Sequence, residues 1–249
     1  MIKFIGTGDL ANQTLGNTCA YIKQGKDLLL LDCGTTAFAR MQQLNIFEDV
    51  KNVYIAITHM HPDHVGGLAN TVFYLNYWKN IVPNILIASD EESTQEEELE
   101  KFLSLQGVGI DNYQFVSESE LSIAGMLSFS FKAIEHSENM KSYAFEICFE
   151  NKKVYYLGDN NDKKYLKTII KKLQKDDLIY TDCTTLKLKK QVHMHLEVLN
   201  QIVDEDIRKQ VFCMHFGSDE DIEEIKKAGY GIARNEQSKQ EYLKIIKSR

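Results

Sequence analysis

Short apolar runs and longer helical stripes alternate along this chain of 249 residues. The first third reads as strands at residues 3–6, 18–23 and 27–32, punctuated by Gly6, Gly8, Gly16 and Gly25. A helix is predicted over 36–44, then a buried strand at 53–57. The next helix carries Leu68, Val72, Leu75 and Trp78 along one side. Residues 84–88 form another short strand. The acidic run 90–100 reads as a solvated helix rather than a binding tail. Ser93 and Glu96 match a capping box, Leu99, Phe102 and Leu103 supply the apolar side, and the acids lie at the positive helix end.

A second strand-rich block covers 113–157, with strands at 127–134, 143–149 and 154–157. A Lys-rich helix at 162–175, which buries Leu166, Ile169, Ile170 and Leu173, precedes a strand at 178–181. Helices at 197–206 and 219–228 flank a strand at 211–214, and a further amphipathic helix is predicted at 238–246. No repeat or linker interrupts the pattern, so one domain over 1–249 is expected. Strands followed by helices, given twice, predict an α+β architecture of two sheets with helices packed outside.

Composition narrows the class. Apolar residues make up 43% and charged residues 26%, which excludes a disordered chain, a collagen-like fibre and a disulfide-framework miniprotein. The net charge of −7 argues against a general nucleic-acid coat, which needs surplus Lys and Arg. Cys19, Cys33, Cys148, Cys183 and Cys213 are scattered with no C-x-x-C spacing, and they read as buried free thiols in a reducing compartment. The start, Met1-Ile2-Lys3-Phe4-Ile5-Gly6, lacks a signal-peptide layout, and no apolar stretch approaches membrane-spanning length. A cytoplasmic location is expected.

The chemistry concentrates in Thr58-His59-Met60-His61-Pro62-Asp63-His64, between a buried strand and a helix. His59 and His61 are two apart, so an extended backbone sends both imidazoles to one side. Asp63 and His64 lie in the turn. Imidazoles with a carboxylate make a borderline-to-hard ligand set able to hold two metal ions.

This H-x-H-x-D-H run resembles the signature of the metallo-β-lactamase fold hydrolases, and the resemblance extends over the whole chain. It implies a four-layer αβ/βα sandwich with a dinuclear metal centre at the sheet edges. It also implies three downstream ligands, each ending a predicted strand: His136 in Ile134-Glu135-His136-Ser137, Asp159 in Tyr156-Leu157-Gly158-Asp159, and His215 in Phe212-Cys213-Met214-His215. His59, His61 and His136 would hold one ion, and Asp63, His64 and His215 the other, with Asp159 bridging. Asp162 is the rival for Asp159.

Further segments resemble the ribonuclease Z-like, phosphodiesterase branch: Phe4-Ile5-Gly6-Thr7-Gly8, the run from Leu15 to Tyr21, LLLLDCG at 28–34, and the run from Asp177 to Thr184. His193-Met194-His195-Leu196-Glu197 resembles its H-x-T-x-E element, with His195 in the threonine position. The resemblance makes His193 the extra active-site histidine and Asp182 the carboxylate that orients it. The alternative for His193 or His195 is a helix-start residue.

The resemblance implies a metal-dependent hydrolase, chiefly a phosphodiesterase. A hydroxide shared by two divalent ions would attack a small phosphodiester or nucleotide, Asp63 taking up a proton and His193 assisting the leaving oxygen. Zinc suits the His-rich set, with manganese or iron as alternatives. The competing activity is a thioester, lactone or other ester hydrolase of the same fold. Ribonuclease Z-type RNA cleavage is disfavoured, because the chain has little room for a transfer-RNA-gripping arm. The Lys surplus between Asn151 and Lys190 reads as a solvated face, though it could greet a phosphorylated substrate. Redox chemistry is disfavoured by His61, which stands where a diiron branch has a carboxylate. The expected partner is a small phosphorylated molecule and not a membrane, with a homodimer left open.

Overall fold

The computed structural model describes residues 2–90, 93–149, 152–187 and 189–236. Its first sheet orders β1 (Lys3–Gly6), β2 (Cys19–Gln24), β3 (Asp27–Leu31), β4 (Asn52–Ala56), β5 (Asn84–Ile87) and β6 (Gln114–Ser117) from edge to edge. Strands β1 to β3 pair antiparallel, and β3 to β6 pair parallel. The second sheet comprises β7 (Met126–Ile134), β8 (Ser142–Phe149), β9 (Lys152–Tyr156), β10 (Leu178–Asp182), β11 (Val211–Met214) and β12 (Gly231–Ile232). Here β7 to β9 are antiparallel and β9 to β12 parallel.

Why two sheets form is visible in the run of four leucines. Strand side chains alternate between faces, so a strand apolar at every position must be covered on both. Leu28 and Leu30 join a core with Met41, Leu68, Val72 and Leu99. That core is closed by α1 (Ala37–Gln43), the short α2 (Pro62–Val65), α3 (Leu68–Lys79) and α4 (Gln95–Leu105). Leu29 and Leu31 instead meet Phe129, Phe145, Tyr156 and Met214 of the other sheet. A third core joins the far face of that second sheet, through Tyr155, Ile179 and Cys213, to α5 (Lys163–Lys172), α6 (Leu196–Ile202) and α7 (Asp219–Lys227). Helices, sheet, sheet and helices form the four layers of the metallo-β-lactamase fold.

Two local readings need correction. Trp78 lies outside the buried stripe of α3: it is 72% exposed and stacks on Tyr74. Helix α4 starts at Gln95 after Thr94, without the expected Ser93–Glu96 box. Ser93 Oγ instead accepts hydrogen bonds from Tyr143 Oη at 2.8 Å and Gln95 N at 3.3 Å. The other predicted helices begin and end within a few residues of their expected bounds, except that α6 stops at Ile202. The helix expected at 238–246 lies outside the described residues. None of the five cysteines forms a disulfide, and Cys19, Cys33, Cys183 and Cys213 are buried; no helix among the described residues is long and apolar enough to cross a membrane.

The carboxyl ends of the parallel strands in both sheets open toward one edge of the sandwich. Crevices outside such strand ends are where α/β sheets place ligands, because the chain leaves the ladder there and frees its polar groups.

Candidate metal centre

The turn after β4 is built on Asp32, at the end of β3. Its backbone is left-handed, with φ of 64°, and its side chain is fully buried. Asp32 Oδ1 accepts from Thr58 N at 2.7 Å and Thr58 Oγ1 at 2.9 Å. Oδ2 faces His64 Nδ1 at 3.0 Å and accepts from Tyr156 Oη at 3.3 Å. Having given its hydrogen to Asp32, Thr58 Oγ1 accepts from His59 Nδ1 at 3.0 Å. One buried carboxylate thus sets the rotation of two histidines. In the sequence Asp32 closes the LLLLDCG run without a role assigned to it. The signal was an acid closing an apolar run where the chain must turn.

The floor of the turn is as tight as packing allows. A Cβ on Gly34 would stand 2.0 Å from the Asp63 carbonyl oxygen and 2.7 Å from Asn17 Cβ. Gly34→Ala is therefore expected to destabilise the protein by about 3 kcal/mol through overpacking. Thermal or denaturant unfolding would show this, and an unchanged midpoint would contradict so close an approach.

The seven expected metal-binding side chains converge in two groups. His59, His61, His136 and Asp159 bring ligand atoms within 4.8 Å of one another, as do Asp63, His64, Asp159 and His215. In the first, His61 Nδ1 lies 2.9 Å from His59 Nε2 and 3.4 Å from His136 Nε2. Asp159 Oδ2 stands 3.8 Å from His59 Nε2 and 3.7 Å from His136 Nε2. In the second, Asp159 Oδ1 is 3.2 Å from His64 Nε2 and 3.3 Å from His215 Nε2, while Asp63 Oδ2 is 3.1 Å from His215 Nε2. Asp159 offers one oxygen to each group. Asp162 is not a member; its carboxylate caps α5 by accepting from Tyr165 N at 2.8 Å.

This donor set fits divalent cations. His64 Nε2 and Asp159 Oδ1 are buried without a hydrogen-bond partner, although they stand beside each other. Unmatched buried polar atoms are costly, and a shared cation would satisfy both. The outer nitrogens are already committed: His136 Nδ1 donates to the Val192 carbonyl at 3.0 Å and His64 Nδ1 faces Asp32. Such outer contacts fix the tautomer that leaves the inner nitrogen for a metal.

The charge balance follows from burial and proximity. Burial, with His64, His136 and His61 beside it, holds His59 well below the usual histidine range. Burial also lowers His61, with His136 adding to it. Burial alone would raise Asp159, but His215, His64 and His59 outweigh it and keep that carboxyl well below its ordinary value. Burial likewise opposes a charge on His64, yet Asp159 and Asp32 lift it well above the histidine range. The centre is thus a buried anion ringed by imidazoles.

Beside these groups stands a pair. His193 Nδ1 donates to Asp182 Oδ2 at 2.9 Å and lies 3.8 Å from Asp159 Oδ2. Its ring stacks against His215 with centroids 5.1 Å apart. Burial opposes protonation of His193, but Asp182 raises it to about 9, so the imidazolium persists at neutral pH. At 22% exposure the side chain reaches solvent, unlike the other clustered histidines apart from His61. His195 sits elsewhere. Its Nδ1 accepts from Glu197 N at 3.2 Å and its Nε2 donates to the Thr185 carbonyl at 3.1 Å, the helix-start role left open for it.

Known proteins share this architecture. A metallo-β-lactamase fold protein, YhfI from Bacillus subtilis, superposes with a TM-score of 0.68 at 15% identity, covering 95% of this chain and 96% of its own. A diphosphatase of the PhnP family gives 0.67 at 16% identity, covering 95% of each chain. Human tRNase Z, short form, gives 0.64 at 15% identity over 94% of this chain and 96% of its own. In sequence, the Anti-Pycsar protein Apyc1 of Paenibacillus harenae is 27% identical over 225 residues, 87% of this chain and 89% of that protein. The protein of that name from Bacillus phage 010DV004 is 25% identical over 236 residues, 87% of this chain and 88% of its own. The family model described as Anti-Pycsar protein Apyc1 matches residues 1–239, and the chain belongs to that family.

Proposed function

We propose that this protein is a dinuclear metal-dependent phosphodiesterase acting on a small phosphodiester or nucleotide. The observation that carries the reading is the Asp182–His193 pair, placed 3.8 Å from the carboxylate shared by both ligand groups. A thioester, whose thiolate departs unprotonated, needs no such acid. A phosphodiester that expels an alkoxide does.

His59, His61 and His136 would hold one ion, and Asp63, His64 and His215 the other, with Asp159 serving both. Zinc suits this set best, with manganese or iron as alternatives. When bound, two divalent ions supply Lewis acidity toward a phosphoryl oxygen and make water acidic enough to react near neutral pH. The chain's own groups do the rest. Asp63, kept ionised against its burial by His215 and His64, takes the proton that the attacking water loses. Asp182 fixes His193 through Nδ1, which leaves Nε2 to protonate the departing oxygen. The net charge of −7 favours a small substrate over a long RNA. A diphosphatase of the PhnP family and a tRNase Z share the fold, which agrees in direction.

Purified protein assayed on bis-p-nitrophenyl phosphate beside a thioester and lactone panel tests the reading. Turnover of the diester is expected. Activity confined to the thioesters or lactones would overturn it.

A further inference from the structure

Asp221, in the first turn of α7, is 1% exposed and has no role in the centre described above. Its carboxylate is divided between two segments. Oδ2 accepts from Gly217 N and Ser218 N, each at 3.2 Å, in the turn that directly follows His215. Oδ1 accepts from Thr185 N at 2.9 Å and Thr185 Oγ1 at 2.6 Å. Thr185 opens the excursion between Asp182 and His193. A capping box needs only the contacts with Ser218. The two bonds to Thr185 do nothing for the helix.

What those bonds tie together is the segment carrying His193 and the turn carrying His215, whose rings stack at 5.1 Å. The excursion is fastened at its return by His136 Nδ1 on the Val192 carbonyl. At its start it is held by Asp221, and by His195 on the Thr185 carbonyl at 3.1 Å. Charge-assisted bonds to a buried carboxylate are about twice as strong as neutral ones, so Asp221 adds a strong side-chain fastening to the backbone bridge between Thr184 and His195.

We infer that Asp221 is a positioning residue, which through Thr185 holds the Asp182–His193 pair in place against the metal-binding cluster. The inference rests on the proposed role of His193 as the acid for the leaving group. Asparagine at 221 would turn an amide group against two donors, and Thr185→Val removes only the hydroxyl bond while leaving the helix cap intact. Thr185→Ser keeps the hydroxyl.

The test combines two readouts on the metal-loaded protein. Hydrogen exchange is compared between peptides covering 184–193 and those of β8. Steady-state rates are compared on bis-p-nitrophenyl phosphate and on a dinucleoside monophosphate, whose leaving group is a ribose alkoxide. For Asp221→Asn and Thr185→Val, exchange in 184–193 should rise with β8 unchanged. Turnover of the dinucleoside should fall ~10–100-fold, the cost of a catalytic group displaced by about 1 Å, with KM and the p-nitrophenyl substrate within about threefold. Thr185→Ser should restore wild-type values. Unchanged exchange at 184–193, or an equal loss on both substrates, would overturn the inference. A wild type that cleaves neither diester would instead defeat the proposed function, and exchange alone would then judge the tether.

Discussion

Asp159→Ala should abolish turnover, lowering kcat/KM by ~10³-fold or more. Its two oxygens are the shared element of both ligand groups, each within 3.8 Å of two imidazole nitrogens. Removing it takes the negative charge from the middle of five histidines and leaves both groups one donor short. The several kcal/mol that a metal centre contributes to transition-state stabilisation convert to that loss at 1.36 kcal/mol per tenfold. Asp159→Asn should be nearly as damaging, since it preserves the shape and loses the charge. The measurement is kcat/KM on the best diester, taken beside circular dichroism to establish folding. A folded Asp159→Ala protein retaining a tenth of wild-type activity would rule out a shared centre.

His193→Ala should lower the rate ~10²–10⁴-fold on diesters that expel an alkoxide, the range a single general acid contributes. On bis-p-nitrophenyl phosphate, whose leaving group departs without a proton, the loss should stay below about tenfold. Asp182→Asn should show the same split at smaller size, because His193 remains but loses the carboxylate that orients it at 2.9 Å and favours its protonated form. A uniform loss across leaving groups would reassign His193 from proton donor to structural contact. The split sets this residue apart from the seven proposed ligands, whose loss should affect every substrate alike.

Much of the architecture was legible because the physics behind it is local. Four consecutive leucines at 28–31 demand cover on both faces, and the two sheets provide it. His136, Asp159 and His215 each close an apolar strand, and polar residues at that position emerge at the sheet edge. What the sequence could not show depends on contacts between distant segments. Asp32 looks like any turn acid until β3 is laid beside β4 and its carboxylate meets Thr58 and His64. Asp221 reads as an N-terminal helix acid until the fold brings Thr185 to it. His193 and His195 are separable only by what they touch: one meets Asp182, the other caps α6. Trp78 was misplaced for a geometric reason. It lies in the last turn of α3, beyond Leu75, the last buried residue of that helix.

Two divalent ions, held by these seven side chains, should be required for phosphodiester cleavage. The measurement is elemental analysis of the purified protein, before and after chelation and through stepwise readdition of zinc or manganese, with diester turnover followed in parallel. Activity should disappear with the metal, return on readdition, and saturate at two ions per chain. Full diester turnover by a protein stripped of metal would contradict it.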